Sequence, residues 1–181
     1  MSSVMLTEVE FRFKHGWCDL YLATDEAVHS FRATGMVDFF GDLVSAVCDL
    51  AGGRHSTSAM WADEPGGVFI DLAISAPKSL CGLAVHQFAE ADWISNRSVW
   101  SPTRGTVVLD IVEPADNLLR HFADAFRMVQ VLDVDTTGFM PSWGWHFPAS
   151  SFDRLLRSGR QFGYKPKATK EIIRGSDRSE S

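Results

Sequence analysis

Several groups of side chains in this sequence have types and spacings that could do chemistry. His86, Glu90 and Asp92 lie at even spacing, so a continuous strand would point all three to one face and could build a metal or acid–base site. The solvated face of an edge strand explains the same spacing better. His121 and Asp124 share one face of a predicted helix, where an i,i+3 pair is more often a surface hydrogen bond than a catalytic dyad.

The remaining acidic pair lacks the ligands of a metal site. Asp133 and Asp135 flank Val134 in a predicted loop. Ca²⁺ takes about six or more oxygen ligands, and no acidic cluster follows this pair. We therefore interpret both aspartates as loop solvation and predict no metal and no cofactor for the chain.

An aromatic segment near residue 145 is the strongest candidate for binding. Trp143, Trp145 and His146 lie in a stretch punctuated by glycine and proline, and two indoles at i,i+2 would share one side of an extended segment. They could form a platform for a partner, because tryptophan is enriched at binding hot spots. The alternative is that they cap the core where the last helix docks, which the six tryptophans of the chain favour.

Reactive sequence signatures are absent from the chain. It has no Gly-x-Ser-x-Gly, phosphate loop, His-Glu-x-x-His, Cys-x-x-Cys or Gly-x-Gly-x-x-Gly. This lowers the expectation of an enzyme without excluding one, because triads are assembled in space. The competing hypothesis is an enzyme or small-ligand binder with a pocket near Trp143–His146, using His86 or His146 as acid or base.

Alternating and helical periodicities predict the elements that hold these groups. Val9–Phe13, Trp17–Ala23 and Ala27–Phe31 read as strands, and Met36 to Leu50 as an amphipathic helix with Thr34 as N-cap. Four further strands are predicted at Ser56–Trp61, Val68–Ala73, Leu83–Phe88 and Thr106–Val112. A long loop is predicted at 91–104, a second helix from Glu113-Pro114 with the stripe Leu118, Leu119, Phe122, Phe126 and Val129, and a short third helix from Phe147 through Leu156.

This order of elements predicts an α+β fold. We expect an antiparallel sheet of about six strands, with two main helices packed on one face and a short C-terminal helix. Residues 1–160 form a single globular domain in this interpretation. Residues 161–181 form a basic tail that we expect to be disordered.

Composition favours a cytoplasmic protein. No apolar run approaches the roughly 20 residues that span a bilayer, and the N-terminus resembles no secretory signal. Cys18, Cys48 and Cys81 are odd in number and far apart, which favours buried free thiols in a reducing compartment.

Charge is divided unevenly along the chain. Residues 1–153 carry 9 Lys/Arg against 20 Asp/Glu, whereas residues 154–181 carry 8 against 3. The tail could contact nucleic acid, but the acidic body would repel a polyanion, so nucleic acid is not the expected partner. The leading hypothesis is a non-enzymatic protein that docks a basic protein partner by electrostatic steering and aromatic anchors. The candidate contact residues are Trp61, Asp63, Glu64, Trp93, Trp100, Asp133, Asp135, Trp143, Trp145 and His146.

Two motifs resemble those of a family of uncharacterised bacterial α+β proteins. They are Trp61-Ala-Asp-Glu-Pro-Gly after the first helix, and Trp143-Gly-Trp-His-Phe-Pro before the short last helix. The resemblance covers residues 16–158 and implies no activity, so it assigns no functional residue. In size and acidity the chain is also similar to immunity proteins of bacterial toxin systems, which is an analogy alone.

Overall fold

A computed structural model describes residues 4–63, 66–75, 80–88, 104–134 and 143–159. Within these ranges the chain forms seven strands and three helices. The strands are β1 (Leu6–Lys14), β2 (Trp17–Thr24), β3 (Val28–Thr34), β4 (Ser56–Asp63), β5 (Gly66–Ile74), β6 (Leu80–Phe88) and β7 (Val107–Pro114). The helices are α1 (Phe39–Ala51), which connects β3 to β4, α2 (Ala115–Val134) and α3 (Ala149–Gly159).

The strands form two antiparallel sheets, β1-β2-β3 and β4-β5-β6-β7. The predicted α+β class is confirmed, but the prediction of one sheet of about six strands is wrong. The physical reason lies at the junction between β3 and β4, which lie beside each other without a backbone ladder. The indole of Trp61 on β4 instead donates its N–H to the carbonyl of Phe31 on β3, at 3.0 Å.

One apolar core lies between the sheets and the helices. Alternate residues of each strand point into it, and α2 contributes the predicted stripe, all of whose members are buried. Aromatic rings join the layers: Phe126 on α2 stacks on Phe11 of β1 at 5.6 Å and meets Phe40 of α1 edge-on. The opposite face of each sheet carries the polar and charged side chains.

The N-cap of the first helix lies four residues later than the sequence predicts. Asp38 is the N-cap, and its carboxylate accepts the backbone N–H of Gly41 at 3.0 Å. The prediction of Thr34 as N-cap is therefore wrong. Met36 and Val37 precede the helix and are exposed instead of extending its buried face.

Other boundaries also differ from the predictions. Strand β7 extends to Pro114, and α2 extends through Val134, so the backbone of Asp133 is helical where a loop was predicted. The three cysteines are free and buried, which confirms the prediction of buried thiols. The predicted loop at 91–104 falls almost wholly outside the described residues, and the tail at 161–181 lies outside them. Among the described residues, no helix is long and apolar enough to cross a membrane.

Replacing Trp61 by phenylalanine should destabilise the junction between the sheets. The variant W61F leaves the partly buried carbonyl of Phe31 without the indole donor, and it leaves a cavity where the fully buried indole was; together these cost about 1–3 kcal/mol of unfolding free energy. Urea unfolding measures the loss. The matched control is W145F, which removes an indole-to-carbonyl bond at an exposed position and should cost less; equal losses would contradict the assigned role of Trp61.

Candidate functional site

Trp143 and Trp145 point to different environments. Gly144 between them has φ +90°, a left-handed conformation that favours glycine and breaks the extended geometry. Trp143 is 1% exposed and stacks on Trp61 with ring centroids 6.5 Å apart. Trp145 is 39% exposed. Trp143 therefore lies in the core, whereas Trp145 is at the surface, and its role in a binding platform stays a prediction.

A close approach of three backbone segments fixes Trp145. Its indole N–H donates to the carbonyl of Gly35 at 2.7 Å, and the backbone N–H of Gly35 donates to the carbonyl of Gly16 at 2.6 Å. A Cβ atom on residue 35 would lie only 2.6 Å from the carbonyl oxygen of Trp143 and 2.9 Å from that of Gly16. Glycine is required here because backbone atoms, which move least easily, occupy that space.

Four exposed apolar side chains surround this junction, and we call them the Trp145 patch: Trp17, Met36, Val37 and Trp145, exposed by 39%, 59%, 38% and 39%. Each is at, or within two residues of, Gly16, Gly35 or the Trp145 indole bond. Clustered apolar exposure is less common than isolated exposed residues and is typical of interaction sites.

Acidic groups adjoin the patch at the start of α1. Asp38 follows Val37 directly, and its Oδ1 accepts both the Gly41 N–H and the indole N–H of Trp143, the latter at 3.2 Å. One turn on, Asp42 is exposed, but neighbouring protein atoms remove part of its hydration and raise its pKa, and the negative charge of Asp38 raises it further. A cationic group placed here would relieve the repulsion between the two carboxylates.

The outward faces of the sheets carry arginines that are already paired. Arg32 forms a bidentate ion pair with Asp19: its Nε donates to Oδ1 at 2.7 Å and its Nη2 donates to Oδ2 at 3.1 Å. Its guanidinium also lies 6.0 Å from the ring centre of Trp17. Arg12 repeats this arrangement with Glu10 over Tyr21. These pairs neutralise their own carboxylates, so the acidic character of the surface comes from other residues.

The third such unit includes the predicted acid–base candidate His86. Arg104 forms a two-pronged pair with Asp71, at 2.6 and 2.8 Å, and lies over the ring of Phe69. Burial alone would raise the pKa of Asp71, but the hydrogen bonds of Arg104 and Ser58 outweigh it and lower that pKa. His86 Nε2 lies 3.5 Å from the same carboxylate. This cluster ties a loop residue to the sheet.

The other residues of the predicted His86 site, Glu90 and Asp92, fall outside the described residues. The structure places the other predicted pair, His121 and Asp124, within α2. Among the described side chains, no group of three or more His, Cys, Asp or Glu could hold a metal ion.

The predicted contact residues have different outcomes. Trp61 and Trp143 are buried in the core, so neither can contact a partner, which corrects that part of the prediction. His146 is exposed, and Asp63 is half-buried at the end of β4, where its charge acts on Arg32. Outside the described residues or side chains lie Glu64, Trp93, Trp100, Asp133 and Asp135.

Sequence reasoning missed three members of the patch. Trp17 carried a usable signal, because Cys18, Leu20 and Leu22 alternate with it and place it on the outward face of β2. The sequence signal at Met36 and Val37 was misleading, because their spacing continues the apolar face of α1.

No family model, curated protein or solved structure matches the chain. The resemblance drawn from the Trp61 and Trp143 motifs stays a prediction.

A methyl group at residue 35 should disrupt the junction under the patch. The variant G35A forces two backbone carbonyls apart and should lower the unfolding free energy by about 1–3 kcal/mol, as overpacking does. Chemical unfolding measures this loss, and the shift of Trp145 fluorescence reports the local change. The control G82A meets only ordinary contacts at 3.9 Å, and a loss in G82A as large as in G35A would contradict the assignment.

The charged carboxylate of Asp42 should lower the free energy of unfolding at neutral pH. A raised carboxyl pKa means that the folded state disfavours the charged form, so its destabilisation is present above the folded pKa and disappears as pH falls below the unfolded value of about 3.9. The variant D42N should therefore be at least as stable as wild type at pH 7, and the difference should vanish near pH 3. Unfolding curves at both pH values, with D110N as the charge control, test this; a loss in D42N at pH 7 would contradict it.

Proposed function

We propose that this protein is a non-enzymatic binding protein that docks a basic protein partner on the Trp145 patch. The observation that carries the proposal is the clustering of two exposed indoles, Trp17 and Trp145, with Met36 and Val37 at one backbone junction. Tryptophan and methionine are enriched at protein interfaces relative to the remaining surface. Few binding surfaces rely on more than a handful of such anchors.

The anchors are held in place before any partner arrives. The indole N–H of Trp145 is bonded to Gly35, and Trp17 lies on a strand against the guanidinium of Arg32. A fixed side chain loses little conformational entropy on binding, so more of the contact energy is retained as affinity. This favours a binding role over a purely structural reason for exposing four large apolar groups.

Charge supports a basic partner. The body of the chain carries a net charge of −11 over residues 1–153, and its arginines Arg12, Arg32, Arg54 and Arg104 are paired with carboxylates. Asp38 and Asp42 remain beside the patch, and Asp63 lies near Arg32. Electrostatic steering would speed association, while the apolar anchors would set the lifetime of the complex.

The biological setting that we favour is immunity-like, with the partner a basic toxin. Only the size and acidity of the chain support this part of the proposal.

The alternative of a ligand pocket near Trp143–His146 has less support. The indole of Trp143 packs between Trp61 and Phe13, with ring centroids 6.5 and 5.5 Å away, so side chains fill the space beside it. His146 is exposed.

The docking proposal is tested by capture and then by measured affinity. Proteins captured by the full chain from the source organism are identified, and the dissociation constant of the purified partner is measured for wild type and W145A. Loss of a hot-spot tryptophan should weaken binding by about tenfold or more. The affinity should also fall as salt rises from low to high concentration, because steering charges are screened.

Two variants separate docking from general surface effects. V112A shortens an exposed side chain on β7, which is 55% exposed, and should leave the affinity unchanged. D42N should bind more weakly without losing stability, because it removes a steering charge. A captured partner whose affinity is the same for wild type and W145A would contradict the proposal, as would binding that does not respond to salt.

A further inference from the structure

An open cleft of about 340 Å³ lies on the outside of the molecule, at the C-terminal ends of α1 and α3. The two helices run in the same direction, since the hydroxyl of Ser45 in the middle of α1 lies 3.4 Å from that of Ser151 in the first turn of α3, and Gly52 and Ser158, seven residues further on in each case, line the same cleft. The cleft is lined by Cys48, Asp49, Gly52, Arg54, Arg154, Arg157 and Ser158.

Three arginines, Arg54, Arg154 and Arg157, line this cleft, although the chain as a whole carries a net charge of −6. Asp49 is the one carboxylate in the lining, and it is shared with Arg54 at 3.4 Å. Among the described residues, Arg154 donates to the hydroxyl of Ser151, at 3.3 Å, and forms no ion pair with a carboxylate. Within the described part of the chain Arg157 has no carboxylate partner. The cleft therefore holds more positive charge than its own side chains neutralise.

The arginines are not needed as caps for α1. The carbonyls of Cys48, Asp49 and Leu50 accept the backbone N–H groups of Gly52, Arg54 and Gly53, at 2.9, 3.1 and 3.1 Å. The last turn of the helix is thus satisfied by its own backbone. Attraction of cations to a helix C-terminus is worth only a few tenths of a kcal/mol to about 1 kcal/mol per charge, which gives no reason for three cations to share one cleft.

The guanidinium charges reach the floor of the cleft. Cys48 lies there almost fully buried, and that burial raises the pKa of its thiol. The charges of Arg154 and Arg157 oppose this rise in the pKa and the charge of Asp49 adds to it, so two cationic groups and one carboxylate act at the position of the sulfur. An anion seated above Cys48 would lie within the field of both arginines.

We propose that this cleft binds the dianionic phosphate group of a small molecule. Guanidinium groups match phosphate oxygens two at a time, and all three cations here are arginine although the chain also has lysines. The hydroxyl of Ser158 supplies a further donor at the rim. The volume of the cleft lies at the small end of the range for ligand pockets, which fits a compact phosphomonoester.

The site is independent of the Trp145 patch. The patch adjoins the first turn of α1 and the cleft adjoins its last, so the 13 residues of the helix separate them by about 20 Å. Failure of one proposal leaves the other standing.

Inorganic phosphate is the probe. Backbone amide NMR shifts of the full chain are recorded during a phosphate titration at constant ionic strength, at pH 8 and at pH 5.5. Saturable shifts confined to residues 48–54 and 154–158 are expected at pH 8. Weaker binding is expected at pH 5.5, because phosphate loses its second charge near pH 6–7.

Two cleft variants and one control variant complete the test. R157Q and R154Q should each weaken phosphate binding by about tenfold or more, since each loses charge-assisted hydrogen bonds. R12Q, which removes an exposed arginine on β1, should bind phosphate as wild type does. Shifts that rise linearly without saturation, shifts spread over the whole surface, or equal weakening in R12Q and R157Q would each overturn the proposal.

Discussion

The carboxylate of Asp38 is the point on which the site depends, because one of its oxygens accepts two donors, one from the helix that it caps and one from a residue 105 positions away. The N–H of Gly41 fixes the start of α1, and the indole N–H of Trp143 fixes the segment that leads into α3. A helix that starts at this cap leaves Met36 and Val37 outside it. The exposure of Met36 and Val37 is thus a consequence of the position of the Asp38 N-cap.

Elements whose periodicity is local could be predicted, whereas those set by distant contacts could not. The stripe of α2 repeats over several turns and is buried as expected. Thr34 and Asp38 are both acceptable N-caps, and the spacing of Met36 favours the wrong one. The deciding contact comes from Trp143, which is 105 residues away from Asp38 in the chain. Spacing within a segment carries no information about such a donor.

The same limit applies to the site. The types of Trp143 and Trp145 indicated an important segment, but their environments were set by the left-handed backbone of Gly144. The net charge of the sequence likewise predicts that the surface charge is negative, but it does not predict where the unpaired charges lie. Glu10 and Asp19 contribute to the acidity of the sequence, yet each is neutralised by an arginine that also lies over an aromatic ring. Arg12 pairs with Glu10 on its own strand, but only the cross-strand register brings Arg32 to Asp19 and sets each arginine against its ring.

The charged side chains at the two ends of α1 differ in their effect on the stability of the fold. Aspartates lie at the start of α1 and arginines lie beside its end, so both sets of charges complement the helix macrodipole. By that interaction alone, each set would stabilise the helix. Asp42 does not follow that expectation, because partial loss of hydration and the charge of Asp38 raise its pKa despite the favourable dipole. A folded protein that keeps a carboxylate at such a position retains a charge that its own fold disfavours. In the docking mode proposed above, a cationic side chain of the partner would relieve the repulsion between Asp38 and Asp42.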